Sequence, residues 1–87
     1  MSFWVYVLKS ADGSHYIGST QNVEARLKRH NKGDYRYTKG HRPWAVVYAE
    51  PVNSRSKAVK RERFLKSGVG RRELESLLSR INYCPVV

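Results

Sequence analysis

Residues 3–9, FWVYVLK, constrain this chain more than any other stretch. Both alternating sets of positions are apolar or aromatic, so neither face of a strand built from them suits water. Such a strand belongs in the middle of a sheet, paired on both edges and covered on both faces. In a chain of 87 residues this leaves room for one small sheet and its cover, because a domain of this length buries only about 60–65% of its unfolded surface.

The remaining elements follow from turn and cap signals. Ala11-Asp12-Gly13-Ser14 is a tight turn, and His15 to Ser19 is a second short strand, so the first two elements read as a β-hairpin. Asn22 is the N-cap, and Glu24 the first-turn acid, of a helix that runs to about Asn31 and stops at Gly33. Residues 34–43, DYRYTKGHRP, read as a polar, basic loop. Trp44 to Glu50 is a third strand, ended by Pro51. Ser54 caps a second helix that reaches about Ser67 and is closed by Gly68 and Gly70. A third helix spans roughly Arg71 to Arg80, with Leu74, Leu77, Leu78 and Ile81 as its apolar stripe. The order β-β-α-β-α-α predicts an α+β fold, a three-stranded antiparallel sheet flanked by three helices. One domain is expected over residues 1–82, with 83–87 as a short C-terminal tail.

Charge narrows the partner. The chain has 17 Lys plus Arg against 7 Asp plus Glu, a net charge of +10. That excess points to a polyanion, with nucleic acid ahead of an acidic protein or an acidic membrane surface. The single cysteine, Cys84, excludes an internal disulfide and a zinc knuckle and is compatible with a reducing cytoplasm. No apolar run approaches the roughly 20 residues of a membrane span, and Met1-Ser2-Phe3-Trp4 does not open like a signal peptide. A cytoplasmic protein with no membrane partner is therefore expected.

Several residues look out of place for a plain scaffold. Val23, Leu27 and His30 share one helix face, which puts His30 at the edge of the core with Arg26 one turn before it. These two are either a satisfied histidine and a snorkelling arginine or parts of a site. On the second helix Ala58, Leu65 and Val69 define an inward stripe, and Glu62 falls within it. A carboxylate there is costly unless it is paired. Its partner is either a nearby Arg or Lys or a hard cation such as Mg²⁺, which takes oxygen ligands. Tyr6 and Tyr16 lie across the hairpin. A two-residue turn at Asp12-Gly13 puts them on opposite faces, and one loop residue more or fewer brings them to the same face.

Together these residues resemble the GIY-YIG nuclease domain. Tyr16-Ile17-Gly18 is the second motif verbatim, and Trp4-Val5-Tyr6 stands where the family has Gly-Ile-Tyr. Residues 22–30, NVEARLKRH, look like the family's helix with an arginine, Arg26, and a histidine four residues later, His30. Glu62, within residues 60–66, KRERFLK, falls where the family has its metal-binding glutamate. Leu74 stands where some members carry asparagine. The resemblance covers residues 3 to about 80 and is closest to the small standalone bacterial members.

The resemblance implies phosphodiester hydrolysis with one divalent cation, Mg²⁺ or Mn²⁺, held by Glu62. It implies that Arg26 contacts the phosphate and stabilises its developing charge. Tyr6 is then the general base or the group that positions the water, and Tyr16 and His30 orient the water, the phosphate or Tyr6. A phenol titrates near 10, and Arg26 and the metal are expected to lower that value. Both tyrosines must reach one site, which requires the same-face register. Lys28, Arg29, Lys32, Arg36, Lys39, His41 and Arg42 cluster on the first helix and its loop, with Tyr35 and Tyr37 interleaved. They are either a nucleic-acid surface, cations on phosphates and rings on unpaired bases, or a solvated loop. Lys57, Lys60, Arg61 and Arg63 extend the basic surface.

The expected function is a metal-dependent DNA endonuclease, with damaged or branched DNA as its substrate and RNA left open. The alternative is a non-catalytic basic nucleic-acid-binding module. A third reading is an interaction domain that uses the last helix and the tail Tyr83-Cys84-Pro85-Val86-Val87. The chain is expected to be a monomer or a weak dimer.

Overall fold

In the computed structural model, which describes residues 2–81, the central strand is β1 (Phe3–Ser10). β2 (His15–Thr20) and β3 (Trp44–Val52) pair with its two edges, both antiparallel, in the order β2-β1-β3. Val5, Tyr6, Val7 and Leu8 are all fully buried, as a strand with two apolar faces requires.

The hairpin register settles which face each tyrosine takes. Tyr6 lies opposite Gly18 and Leu8 opposite Tyr16, so both tyrosines project from the same face. The loop that does this has three residues, Ala11, Asp12 and Gly13, closed by Ser10 N–H donating to the Ser14 carbonyl at 2.9 Å. Gly13 sits at φ 91°, the left-handed residue that a three-residue hairpin loop needs. β3 carries its own irregularity between the pairs Val7–Tyr48 and Leu8–Val46. This bulge moves Trp44 and Val46 to the tyrosine face and leaves Tyr48 and Val52 on the other. Pro51 is inside β3 rather than at its end. An edge strand tolerates it because the missing N–H has no ladder partner to lose.

Each face is covered differently. α1 (Val23–Lys32) covers the tyrosine face, where Val23 and Leu27 pack on Tyr6, Leu8 and Trp44. Asn22 caps it, its Oδ1 accepting from the Ala25 N–H at 2.9 Å, and Gly33 ends it at φ 94°. α3 (Arg55–Lys66) and α4 (Gly68–Ile81) cover the opposite face, where Val5, Val7 and Ile17 pack on Ala58, Leu65 and Leu74. Ser54 caps α3 as expected, accepting from the Lys57 N–H at 3.2 Å.

Three expectations need correcting. The loop after α1 contains a single helical turn, α2 (Arg36–Lys39), whose Thr38 is fully buried. Gly68 and Gly70 do not close α3 but open α4. The joint is Ser67, whose Oγ accepts from the Gly70 N–H at 3.1 Å. Val69 is 72% exposed, because the chain has left the α3 helix at Ser67 and the inward stripe ends with Leu65. The tail, residues 82–87, lies outside the described residues, as do the side chains of Arg80 and Ile81. Among the described residues, no helix is long and apolar enough to cross a membrane.

Candidate active site

Tyr6 rises from the middle of β1 into the space under α1, where no water reaches it. Its hydroxyl lies 3.1 Å from His30 Nε2, and His30 Nδ1 lies 2.9 Å from Thr38 Oγ1. All three residues are fully buried. The turn α2 supplies Thr38, and Trp44 at the start of β3 locks it there, Nε1 donating to the Thr38 carbonyl at 2.8 Å. Asn31 fixes that strand end in turn, accepting from Trp44 N–H at 2.6 Å and donating to its carbonyl at 3.0 Å. His30 is thus not an edge histidine but the middle of a buried chain. Either the Tyr6 O–H donates to Nε2 while Nδ1–H donates to Thr38, or the whole chain runs in reverse, and no heavy atom moves between the two.

The electrostatics of this chain favour neutral groups. Burial holds the His30 imidazole below its usual pKa, and Arg26 adds to the effect. Burial pushes the Tyr6 phenol well above its ordinary value, and Tyr16 adds to that. Arg26 does favour the phenolate of Tyr6, as expected from its charge, but burial outweighs it. In this geometry Tyr6 is a neutral phenol that holds or donates a proton.

Aromatic rings frame the chain. The Tyr16 ring lies 4.7 Å from His30 and 6.2 Å from Tyr6, and Tyr35 packs on His30 at 4.5 Å. Gly18 is needed for this fit. A Cβ there would stand 2.7 Å from the Tyr6 hydroxyl and 3.0 Å from the Tyr16 ring. Arg26 is half-buried, with its guanidinium 5.8 Å from the Tyr35 ring centre. It opens into a groove of about 290 Å³ shared with Ser19, Arg29 and Arg55. Trp4, in place of the family's glycine, projects from the Tyr6 face two residues along and lines a separate hollow with Asn22, Val23 and Ala49.

Glu62 reaches this region from the other side of the sheet. Ser19, which pairs with Val5, donates its hydroxyl to Glu62 Oε1 at 3.0 Å, and Lys66 Nζ meets Oε2 at 2.8 Å. The same Lys66 ammonium lies 6.0 Å from the Tyr16 ring centre. Tyr6, Tyr16, Arg26 and His30 therefore approach the free edge of β2 from the α1 side, and Glu62 approaches it from the α3 side. Of the two readings of Glu62, the ion pair is present. Among the described residues, no group of three or more His, Cys, Asp or Glu is placed to hold a metal. A cation at Glu62 would have one protein carboxylate and complete its shell with water and substrate phosphate. Mg²⁺ accepts such a site, whereas a zinc-type ligand cage is excluded by the donor set.

The basic residues divide into two groups. Lys28, Lys32, Arg36 and Lys39 are exposed on α1 and α2. Arg29 is exposed but paired with Asp34 at 3.2 Å, and Arg42 donates to the Lys39 carbonyl at 2.9 Å. His41 is tied to Asp12 at 2.8 Å. Arg61 is not part of a free basic surface. It bridges Glu50 on β3 and Glu73 on α4, each at 2.8 Å, because β3 brings Glu50 up beside α3. Thr38, Ser19, Arg55 and Lys66 do not stand out in the sequence. Thr38 alone leaves a trace there, as a threonine in a basic loop a short distance beyond His30.

The chain belongs to the GIY-YIG family. The family model described as the GIY-YIG catalytic domain matches residues 2–74, which contain every residue of the site. Such a domain implies nuclease-type activity on nucleic acid, generally with a divalent metal. The chain is 39% identical over 80 residues to a UPF0213 protein of Staphylococcus aureus, covering 91% of this chain and 98% of that protein. It is also similar to two solution NMR structures. One is UPF0213 protein BH0048 from Bacillus halodurans, with 35% identity and a TM-score of 0.54 over 88% of this chain and 85% of that one. The other is EF2693 from E. faecalis, with 31% identity and a TM-score of 0.58 over 100% of this chain and 95% of that one.

Proposed function

We propose that this protein is a metal-dependent endonuclease that hydrolyses phosphodiester bonds in DNA, with damaged or branched DNA as its substrate. The observation that carries the reading is the buried Tyr6–His30–Thr38 chain ending beside Arg26, at the edge of a groove that also holds Arg29 and Arg55. A half-buried arginine held beside a buried phenol is more than a scaffold needs, and a phosphate in the groove would be met by Arg26 with Tyr6 directly behind it. Arg26 faces the nonbridging oxygens, where charge builds up during attack, and its planar donors suit them. Tyr6, closed off in this structure, meets the attacking water by its hydroxyl once a bound substrate opens the site beside Arg26, and His30, its tautomer fixed by Thr38, orients that hydroxyl. Tyr16 walls the site and orients the imidazole. Glu62 would hold Mg²⁺ or Mn²⁺, which supplies Lewis-acid stabilisation of the phosphate and a more acidic bound water. The exposed Lys28, Arg29, Lys32, Arg36, Lys39 and Arg42 hold the flanking strand.

The test is incubation with plasmid, single-stranded and branched DNA in the presence of Mg²⁺ or Mn²⁺. Arg26→Ala and Glu62→Ala should each lower cleavage by about 10²–10³-fold, the usual loss for a group that meets developing charge. Cleavage that survives both substitutions would overturn the mechanism. One observation favours a non-catalytic binding module instead: Glu62 is already neutralised by Lys66. Salt-dependent binding with no cleavage in either metal would decide for that reading.

A further inference from the structure

On the far side of Tyr16 from the catalytic chain lies a second cavity, of about 450 Å³. Its floor is apolar, made by Ile17, Leu74 and Leu78, and Tyr37 forms an open wall. Tyr37 is 52% exposed, yet it is not loose. It stacks on Tyr16 at 6.4 Å with 29° between the planes, and it packs on His41 at 4.9 Å and Trp44 at 6.3 Å. His41 is itself pinned to the hairpin turn through Asp12. Lys66, which also carries the Glu62 ion pair, and Arg71 supply two cations at this cavity, His15 lines it beside them, and Glu75 supplies one acceptor. Tyr35, two residues before Tyr37, is not available in the same way, since it is packed on His30 beneath Arg26 and Arg29.

We propose that this cavity takes an unpaired nucleobase of the substrate, stacked on Tyr37, with its flanking phosphates on Lys66 and Arg71. The inference rests on the nuclease reading for its place beside the cut and deepens that reading by naming the substrate class: nucleic acid with a base out of the duplex. Three features of the cavity argue for this occupant. A flat ring already fixed in place costs little ordering when a base stacks on it. An apolar floor suits a base and not a sugar or a phosphate. The charge at the rim is cationic where a strand would pass, and Glu75 accepts from base N–H groups.

The test separates binding from cleavage. Anisotropy of a labelled single-stranded oligonucleotide and of its duplex is measured without metal, so that neither is cut. The single strand should bind more tightly than the duplex. Tyr37→Ala should weaken the single strand by about tenfold or more, as expected for one base on one ring, and leave the duplex unchanged. Tyr37→Phe should retain the affinity and the parent's thermal unfolding, and Tyr37→Ala, which loses the ring's contacts, should still be fully folded at the assay temperature by the same measurement. A 2-aminopurine in the strand should be quenched on binding by the parent and not by Tyr37→Ala. Single-strand affinity independent of Tyr37 overturns the proposal, including the case in which residues 82–87 or a second copy fill the cavity. If the protein cuts nothing in any metal while Tyr37 still governs single-strand binding, the nuclease reading falls and the base pocket stands.

Discussion

The His30 imidazole has rings on two sides, Tyr16 at 4.7 Å and Tyr35 at 4.5 Å, and a hydrogen-bond partner at each nitrogen. A proton added to it has no carboxylate to meet and Arg26 to oppose it, which is why its pKa is lowered. The unfolded chain has no such restriction and titrates near 6.5. Above about pH 7 both states are neutral and His30 contributes no pH dependence. As pH falls below 6.5 the unfolded chain takes a proton that the folded ring refuses, so stability declines until the lowered folded pKa is reached. His15, lowered by burial and Lys9, adds a loss in the same window. Thermal unfolding from pH 7.5 to 5 should therefore show a falling midpoint, and a His15→Gln variant should keep part of the fall. An unchanged midpoint in that variant would mean that His30 titrates normally. The motifs placed Tyr6, Tyr16, Arg26 and His30, and the resemblance required the same-face tyrosine register, but the turn itself left that register open, because Asp12-Gly13 is compatible with loops of two or three residues. Nor could the sequence show Thr38, whose role depends on a turn closing over α1.

At the scale of elements, α3 and α4 meet at a corner with almost no space. A Cβ on Gly70 would stand 1.7 Å from the Phe64 carbonyl oxygen and 2.8 Å from Leu65 Cα, all backbone that cannot step aside. Gly68, two residues earlier in the same helix, has nothing within 4 Å. The two glycines should thus respond oppositely to alanine. Gly68→Ala should be neutral or stabilising by up to about 1 kcal/mol, the ordinary helix preference. Gly70→Ala should lose about 2 kcal/mol or more, because overpacking against backbone exceeds that gain. Urea unfolding of the two variants checks this, and matching midpoints would refute the tight corner. The corner matters to function because it sets Leu74 under the second cavity and Glu73 against Arg61. Local chemistry made the other elements legible: Asn22, Ser54 and Gly33 cap where their side chains and φ preferences require. The start of α4 was not legible, because glycines that read as helix terminators are there to let two helices touch. Val69, expected inward on an unbroken α3, turned outward for the same reason.

Over the whole molecule, five of the seven acids are engaged close to home: Asp12 by His41, Asp34 by Arg29, Glu50 and Glu73 by Arg61, and Glu62 by Lys66. The +10 excess therefore stays largely unneutralised on the surface that includes α1 and α2. A body of 30 × 28 × 22 Å covers about nine nucleotide steps of a duplex strand at ~3.4 Å each, so it reaches only a handful of phosphates. If about four are neutralised, the logarithm of the single-strand affinity should fall against the logarithm of salt with a slope of about −3, since each neutralised phosphate adds about −0.7. Between 50 and 200 mM salt that is a loss of about 50-fold. Replacing Arg36 or Lys39 by alanine should shift the slope toward zero by about 0.7 for each phosphate no longer neutralised, whereas Tyr37→Ala should lower the affinity at every salt and leave the slope alone. Titrations at four salt concentrations distinguish these outcomes. A flat salt dependence would show that the positive surface is not what holds the strand, and equal slopes for parent, Arg36→Ala and Lys39→Ala would move the phosphate-binding surface away from α2 toward the groove of Arg26, Arg29 and Arg55.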